Sequence, residues 1–286
     1  MPPAALALVA ASVVCHATWN LLAKKAGSAS GVVFVALWSA VAALLWAPLG
    51  VWTLAAAWPT LGWDTAAFIG GALFLHSGYY LVLQRGYRVG DLSVVYPVAR
   101  GTGPLLASVV AVLVWSEQPG LLGWAGILAL SVSVALLGLR TSTPGLRGVG
   151  YGLLVGVFVA AYTLLDKQAV TAAAIPPILL NWGTDTLRAI FLSPVLLRRR
   201  REAAAVWREH WKSAVGTAVF SPGAYMLILT ALVIAPVTVI APLREVSVLL
   251  VVFLGAKLLG ERDMWRRLVC AFGVVLGAAG TLLGRT

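Results

Sequence analysis

Apolar residues along this chain run in stretches of about twenty, broken by short clusters of charge, proline and glycine. Each stretch is long enough to cross about 30 Å of hydrocarbon at roughly 1.5 Å per residue. The pattern predicts helices at roughly 4 to 23, 31 to 50, 66 to 84, 92 to 114 and 119 to 139. A second set follows at roughly 147 to 165, 175 to 197, 213 to 233, 236 to 256 and 266 to 284. Barrel strands would instead alternate polar and apolar over about 10 residues. The first run follows Met1, Pro2 and Pro3 with no basic flank, which predicts a retained helix rather than a signal peptide. Hydroxyl residues and a Pro-Gly turn at Thr141-Ser142-Thr143-Pro144-Gly145 divide the chain into two five-helix halves, 1–140 and 146–286.

The halves repeat one another. Ala17-Thr18-Trp19-Asn20-Leu21-Leu22-Ala23-Lys24 aligns with Ala160-Ala161-Tyr162-Thr163-Leu164-Leu165-Asp166-Lys167, and Gly78-Tyr79-Tyr80 with Gly223-Ala224-Tyr225. Val95-Tyr96-Pro97-Val98 aligns with Ile240-Ala241-Pro242-Leu243, and Glu117 with Glu261, all at nearly one offset. Because each half has an odd number of helices, the second crosses the membrane in the opposite sense. The predicted fold is all-α integral membrane: ten transmembrane helices as two inverted five-helix repeats around a central cavity.

Composition agrees with lipid as the solvent. Of 286 residues 60% are hydrophobic and 11% charged, against about 45–50% and about 25% in soluble domains. A net charge of +11 would suit a nucleic-acid binder if it lay along one polar face, but the basic residues sit in short clusters between apolar runs. Sixteen of the 21 lysines and arginines fall in the loops after the first, third, fifth, seventh and ninth helices, the largest group being Arg198 to Arg201 with Arg208 and Lys212. Lys167 and Arg285 alone occupy the opposite face. The positive-inside rule puts the basic face in the cytoplasm and both termini outside it, in a cytoplasmic membrane.

Ionisable groups deep in a bilayer are costly and therefore functional candidates. Arg100 and Arg244 lie at similar depth in the fourth and ninth helices, each shortly after a proline, Pro97 or Pro242, that frees a backbone carbonyl and can open the helix. Glu245 is the repeat mate of Arg100. Two readings stand: an arginine binds a substrate carboxylate while Glu245 takes an ammonium or a proton, or Arg100 and Glu245 pair to hold the helices together. Asp185 and Arg188, three residues apart, suit mutual neutralisation, with Asp185 a second proton-coupling candidate. His76, with Tyr79 and Tyr80, is the third, since histidine gains and loses its proton near neutral pH; a hydrogen-bonded structural histidine is the alternative. Trp19, Asn20, Tyr79, Tyr80, Tyr96, Tyr162, Trp182 and Tyr225 could line a cavity for a flat apolar side chain, or pack the core. Trp46, Trp52, Trp58, Trp63, Trp115, Trp207, Trp211 and Trp265 read as an interfacial belt. Cys15 and Cys270 fall within apolar runs as small core residues, and no metal-ligand spacing occurs, so no metal or cofactor is predicted.

The order of these features resembles the EamA family of the drug/metabolite transporter superfamily. The residues that carry it are Trp19-Asn20 and Tyr162-Thr163, Pro97 and Pro242, and the acidic residue opening the last hairpin of each half, Glu117 and Glu261. Gly260-Glu261 keeps the family's Gly-Glu pair where the first half reads Ser116-Glu117. The resemblance implies a carrier, not an enzyme, that exports or exchanges small metabolites without ATP. One bacterial branch exports aromatic and other hydrophobic amino acids; others carry sugar phosphates, nucleotide sugars or drugs. A lipid-modifying enzyme would need a catalytic cluster at one interface, and the longest loop, around 198 to 212, is mostly Arg, Ala and Trp. A channel would need a filter motif. The expected partners are a small-molecule substrate and the bilayer, with no nucleic acid. Gly148, Gly152 and Gly156, and Gly273 and Gly277, have small-xxx-small spacing for close helix packing, leaving a monomer or a homodimer open.

Overall fold

In the absence of water, a backbone rich in Ala, Leu and Val satisfies its own hydrogen bonds as helix. The computed structural model describes residues 1–26, 31–89, 92–138, 146–247, 249–250 and 264–284. Among the described residues the elements are α1 (Pro3–Lys25), α2 (Gly31–Leu45), α3 (Ala47–Ala57), α4 (Trp63–Val89), α5 (Leu92–Trp115) and α6 (Gly120–Gly138), then α7 (Leu146–Thr171), α8 (Pro177–Arg198), α9 (Arg200–Ile234), α10 (Val237–Arg244) and α11 (Met264–Leu283), with a 3-10 turn at Trp58–Thr60. Helices α1, α4, α5, α7 and α9 are long and apolar enough to cross a bilayer, and the bent pair α2–α3 makes a sixth span if counted as one. The linker around Thr141 to Gly145, the hairpin Gly260-Glu261-Arg262 and residues 251–256 of the predicted ninth helix lie outside the described residues.

Three boundaries differ from the predicted ones for physical reasons. The second apolar run is not one helix: it breaks at Trp46 with a bend of 56°, because Pro48 in the first turn of α3 has no N–H to continue the ladder. The basic segment after α8, read as a loop, is helical from Arg200, since Arg, Glu and Ala favour helix wherever they lie; α9 carries non-helical angles only at His210 (φ −123°, ψ 18°). Helix α7 runs past Asp166 and Lys167 to Thr171 because both charges find partners inside the protein. Lys167 Nζ donates to the carbonyls of Leu232 and Ala235 at the end of α9.

Large apolar side chains cover the outside and charges occupy the inside. Leu121, Phe74, Leu81, Ile190 and Phe272 are exposed, while Arg100, Asp166, Asp185, Arg188, Arg244 and Glu245 are buried. Close backbone approach sets two crossings. A Cβ on Gly103 of α5 would meet Val159 Cγ1 of α7 at 2.5 Å, and one on Gly126 of α6 would meet the backbone N of Thr281 of α11 at 2.4 Å. Gly277 packs against Leu130 and Gly126 of α6, so the small-residue spacing of the last helix serves contact within the chain. Of the predicted tryptophan belt, Trp52, Trp58 and Trp63 are exposed, whereas the Trp46 indole donates to the Ala218 carbonyl at 3.0 Å and ties α2 to α9.

Candidate functional site

Polar residues three and four apart stack on one face of a helix, and several such stripes meet here. Helix α1 supplies His16, Trp19 and Asn20; α4 supplies His76, Tyr79 and Tyr80; α8 supplies Asn181, Asp185 and Arg188. Together with Arg100 of α5, Tyr162 and Asp166 of α7, Tyr225 of α9 and Arg244 of α10 they line one cavity. Its volume is about 110 Å³ of space for water centres. That is room for several waters.

One end is cationic. Arg100 Nε lies 2.7 Å from Glu245 Oε2, and Arg244 Nε donates to Glu245 Oε1 at 3.4 Å. Glu245 is fully buried behind the lining residues and bridges the two arginines. Two guanidiniums on one carboxylate leave this cluster a charge of +1. Arg244 Nη2 is buried with no hydrogen-bond partner among the described residues, and the guanidinium lies 5.9 Å from the Tyr162 ring. The backbone helps position it. After Pro242 helix α10 stops at Arg244, and the N–H groups of Glu245 and Val246 turn back to the carbonyls of Pro242 (2.9 Å) and Leu243 (3.1 Å). The Ser247 hydroxyl takes up the Arg244 carbonyl at 2.8 Å. Pro97 has no such effect, since α5 is continuous through it.

The other end is anionic. Asp166 Oδ2 is 3.0 Å from His76 Nε2 and accepts the Tyr225 hydroxyl, while Oδ1 is buried with no partner among the described residues. His76 stacks on Tyr162 at 4.2 Å between centroids and meets Tyr225 edge-on at 5.4 Å. Tyr79 lies edge-on to Tyr80 at 5.0 Å and to Tyr162 at 6.0 Å. Tyr162 therefore touches both charged ends. A third group is neutral in sum: Arg188 pairs with Asp185 one turn away and donates to Ser39 Oγ at 3.1 Å. The remaining Asp185 oxygen accepts the Asn181 amide at 3.1 Å.

Most of the residues singled out in the sequence meet here. Trp182 does not: its indole donates to the Ala43 carbonyl at 2.9 Å, where α2 ends, and its ring fills the space a Cβ on Gly50 would occupy. It wedges the α2–α3 break. The Tyr96 side chain lies outside the described residues. Missed from sequence were Asp166, His16 and Asn181. Helical spacing could have found all three, since Asp166 is four residues from Tyr162, His16 four from Asn20, and Asn181 four from Asp185. Trp19 Nε1 and His16 Nδ1 are buried and unpartnered among the described residues, two more polar atoms for a ligand.

No curated protein matches this chain. One solved structure, described only as a protein crystal structure, superposes with a TM-score of 0.74 over 98% of this chain and 96% of its own, at 15% identity. At that identity the likeness is one of fold. Residues 146–283 match the family model described as the EamA-like transporter family. With its apolar helices, the chain is a multi-pass membrane protein whose second half matches the EamA-like transporter family, a match that supports a place in the drug/metabolite transporter superfamily and points to a membrane transporter of small molecules.

Proposed function

We propose that this chain is a secondary transporter that exports or exchanges small zwitterionic metabolites, hydrophobic or aromatic amino acids in particular, across the cytoplasmic membrane. The observation that carries the reading is the two-ended cavity: Arg100, Arg244 and Glu245 at a cationic end, Asp166 with His76 at an anionic end, and aromatic rings along the way. An α-carboxylate complements Arg244 Nη2 and an α-ammonium complements Asp166 Oδ1, with the charges of protein and ligand cancelling pairwise. Trp19, Tyr79, Tyr80, Tyr162 and Tyr225 offer flat faces to the side chain.

Alternating access by two inverted repeats is supported by how the helices pair. Helix α1 packs on α9 as α4 packs on α7, α2 on α9 as α4 on α8, and α6 meets α11 while α2 meets α8. A two-fold axis that exchanges the halves interchanges these contacts. The interruption of α10 beside Arg244 is the kind of broken helix that lines carrier sites.

The test is transport by purified protein in proteoliposomes, with labelled amino acids, sugar phosphates and drugs as separate probes. Counterflow of L-phenylalanine, L-leucine or L-methionine is expected. Movement of sugar phosphates with no amino acid moved would sink the substrate class.

A further inference from the structure

Helix α9 is longer than a bilayer needs. Its 35 residues extend about 52 Å at roughly 1.5 Å per residue, against about 30 Å of hydrocarbon, and Ser213–Ile234 alone covers about 33 Å. The surplus is the stretch from Arg200 to Lys212, which contains the non-helical angles at His210. Within it Ala203 and Val206 pack on Val33, where α2 begins, and on Val195 and Leu196, where α8 ends. The stretch therefore lies level with the ends of two apolar helices, at the boundary between hydrocarbon and water.

We propose that this segment, with the arginines just before it, is a docking surface for anionic phospholipid of the cytoplasmic leaflet. Its outward side carries both parts of a lipid-facing pattern. Arg198, Arg199, Arg200, Arg201, Arg208 and Lys212 are exposed, and with Glu202 and Glu209 they leave a net charge of +4 when His210 is neutral. Among the described residues, Arg199 is the one of these six with a carboxylate within ion-pair distance, Glu202 at 3.7 Å. Leu197, Trp207 and Trp211 are exposed beside them, and Lys212 Nζ stands 5.7 Å from the centre of the Trp211 ring. Indoles settle at the level of the headgroups, and guanidiniums hold phosphate oxygens through paired N–H groups.

Charge and apolar surface together select the occupant. A nucleic acid or an acidic protein would match the arginines and leave Leu197 and the two indoles without apolar cover, whereas an anionic leaflet meets both. A second copy of this chain would bring the same positive charge to the contact and be repelled. The inner side of the segment is already packed on α2 and α8, so the lipid meets a surface built without it.

Native mass spectrometry of the detergent-purified chain, titrated with phosphatidylglycerol or with phosphatidylcholine of the same acyl chains, tests the surface without any transported substrate. Phosphatidylglycerol should bind at least about tenfold more tightly, and its affinity should fall as salt is raised. Arg200→Gln, Arg201→Gln, Arg208→Gln and Lys212→Gln combined should remove the preference, each charge being worth up to about fivefold. All four are exposed, so the melting curve should hold. In liposomes, phosphatidylglycerol brominated on its acyl chains should quench wild-type fluorescence more than that of the double variant Trp207→Phe, Trp211→Phe, and this reading decides if the quadruple variant does not fold. A folded quadruple variant that keeps the preference, a wild type that takes both lipids equally, or quenching that ignores the two tryptophans would overturn the proposal. So would displacement of the bound lipid by inorganic phosphate or by a short RNA, which would make the surface a site for the free ion or for nucleic acid.

Discussion

Arg100, Glu245 and Arg244 make the same demand on one another whatever the substrate. Removing either arginine leaves an arginine–carboxylate pair, whereas Glu245→Gln leaves two buried guanidiniums beside each other with the shared counter-charge gone. Breaking a buried pair from one side costs about 3–5 kcal/mol. Glu245→Gln is therefore expected to lower the thermal midpoint in detergent far more than Arg100→Gln or Arg244→Gln, and equal losses in all three would contradict the charge count. Arg244→Gln should fold and lose binding by about 10- to 100-fold, the worth of a charged hydrogen bond of about 1.5–3 kcal/mol; transport at the wild-type rate would make Arg244 structural. At this scale most of the residues that line the cavity were legible in the sequence, and Asp166 was not among those singled out. Glu245 was visible because it stands within an apolar run next to Arg244. Asp166 stands just past the predicted end of its helix, where its four-residue spacing from Tyr162 is the one local signal, and its partners His76 and Tyr225 come from α4 and α9.

The ends and breaks of helices show a similar division between local and distant causes. Glu117 follows α5, and its two oxygens accept the N–H groups of Val237 and Thr238, both at 2.9 Å, and the Thr238 hydroxyl at 2.7 Å. It caps the first turn of α10 from across the molecule and places negative charge at the positive end of that helix. Glu117→Ala should cost about 1–2 kcal/mol of stability, with Glu117→Gln restoring part of it; an unchanged melting curve for the alanine variant would show that the cap is not needed. Ser116, where the second half has Gly260, sits at φ 55°, a left-handed conformation that costs a residue with a Cβ about 1–2 kcal/mol. Ser116→Gly should therefore stabilise, net of the extra entropy glycine loses on folding, by up to about 1 kcal/mol. The resemblance marked Glu117 as significant, but sequence could not say what it caps, since the capped residues lie 120 positions away. Local rules served better where the cause was local: proline explains the break after Trp46. They failed at Trp182, whose place is set by the bend it fills.

For the whole molecule, apolar run length was legible because lipid imposes one solvent requirement on each span, while the cavity was not, because it exists only where eight of the described helices meet. Orientation rests on the asymmetry of Lys and Arg between alternate loops. A fluorescent protein fused after Thr286 should stay dark while a periplasmic enzyme reporter at the same place is active, and the reverse pattern would invert the topology. The central claim is that one ligand spans a cationic and an anionic end, and displacement of labelled L-phenylalanine by its two half-charged analogues tests it most directly. Phenethylamine lacks the carboxylate and 3-phenylpropionate lacks the ammonium. Each should compete at least about tenfold more weakly than phenylalanine, the loss of one charged hydrogen bond, with the amine's deficit shrinking in Arg244→Gln. Analogues that displace the label as well as phenylalanine does would mean that the charged ends do not hold the ligand.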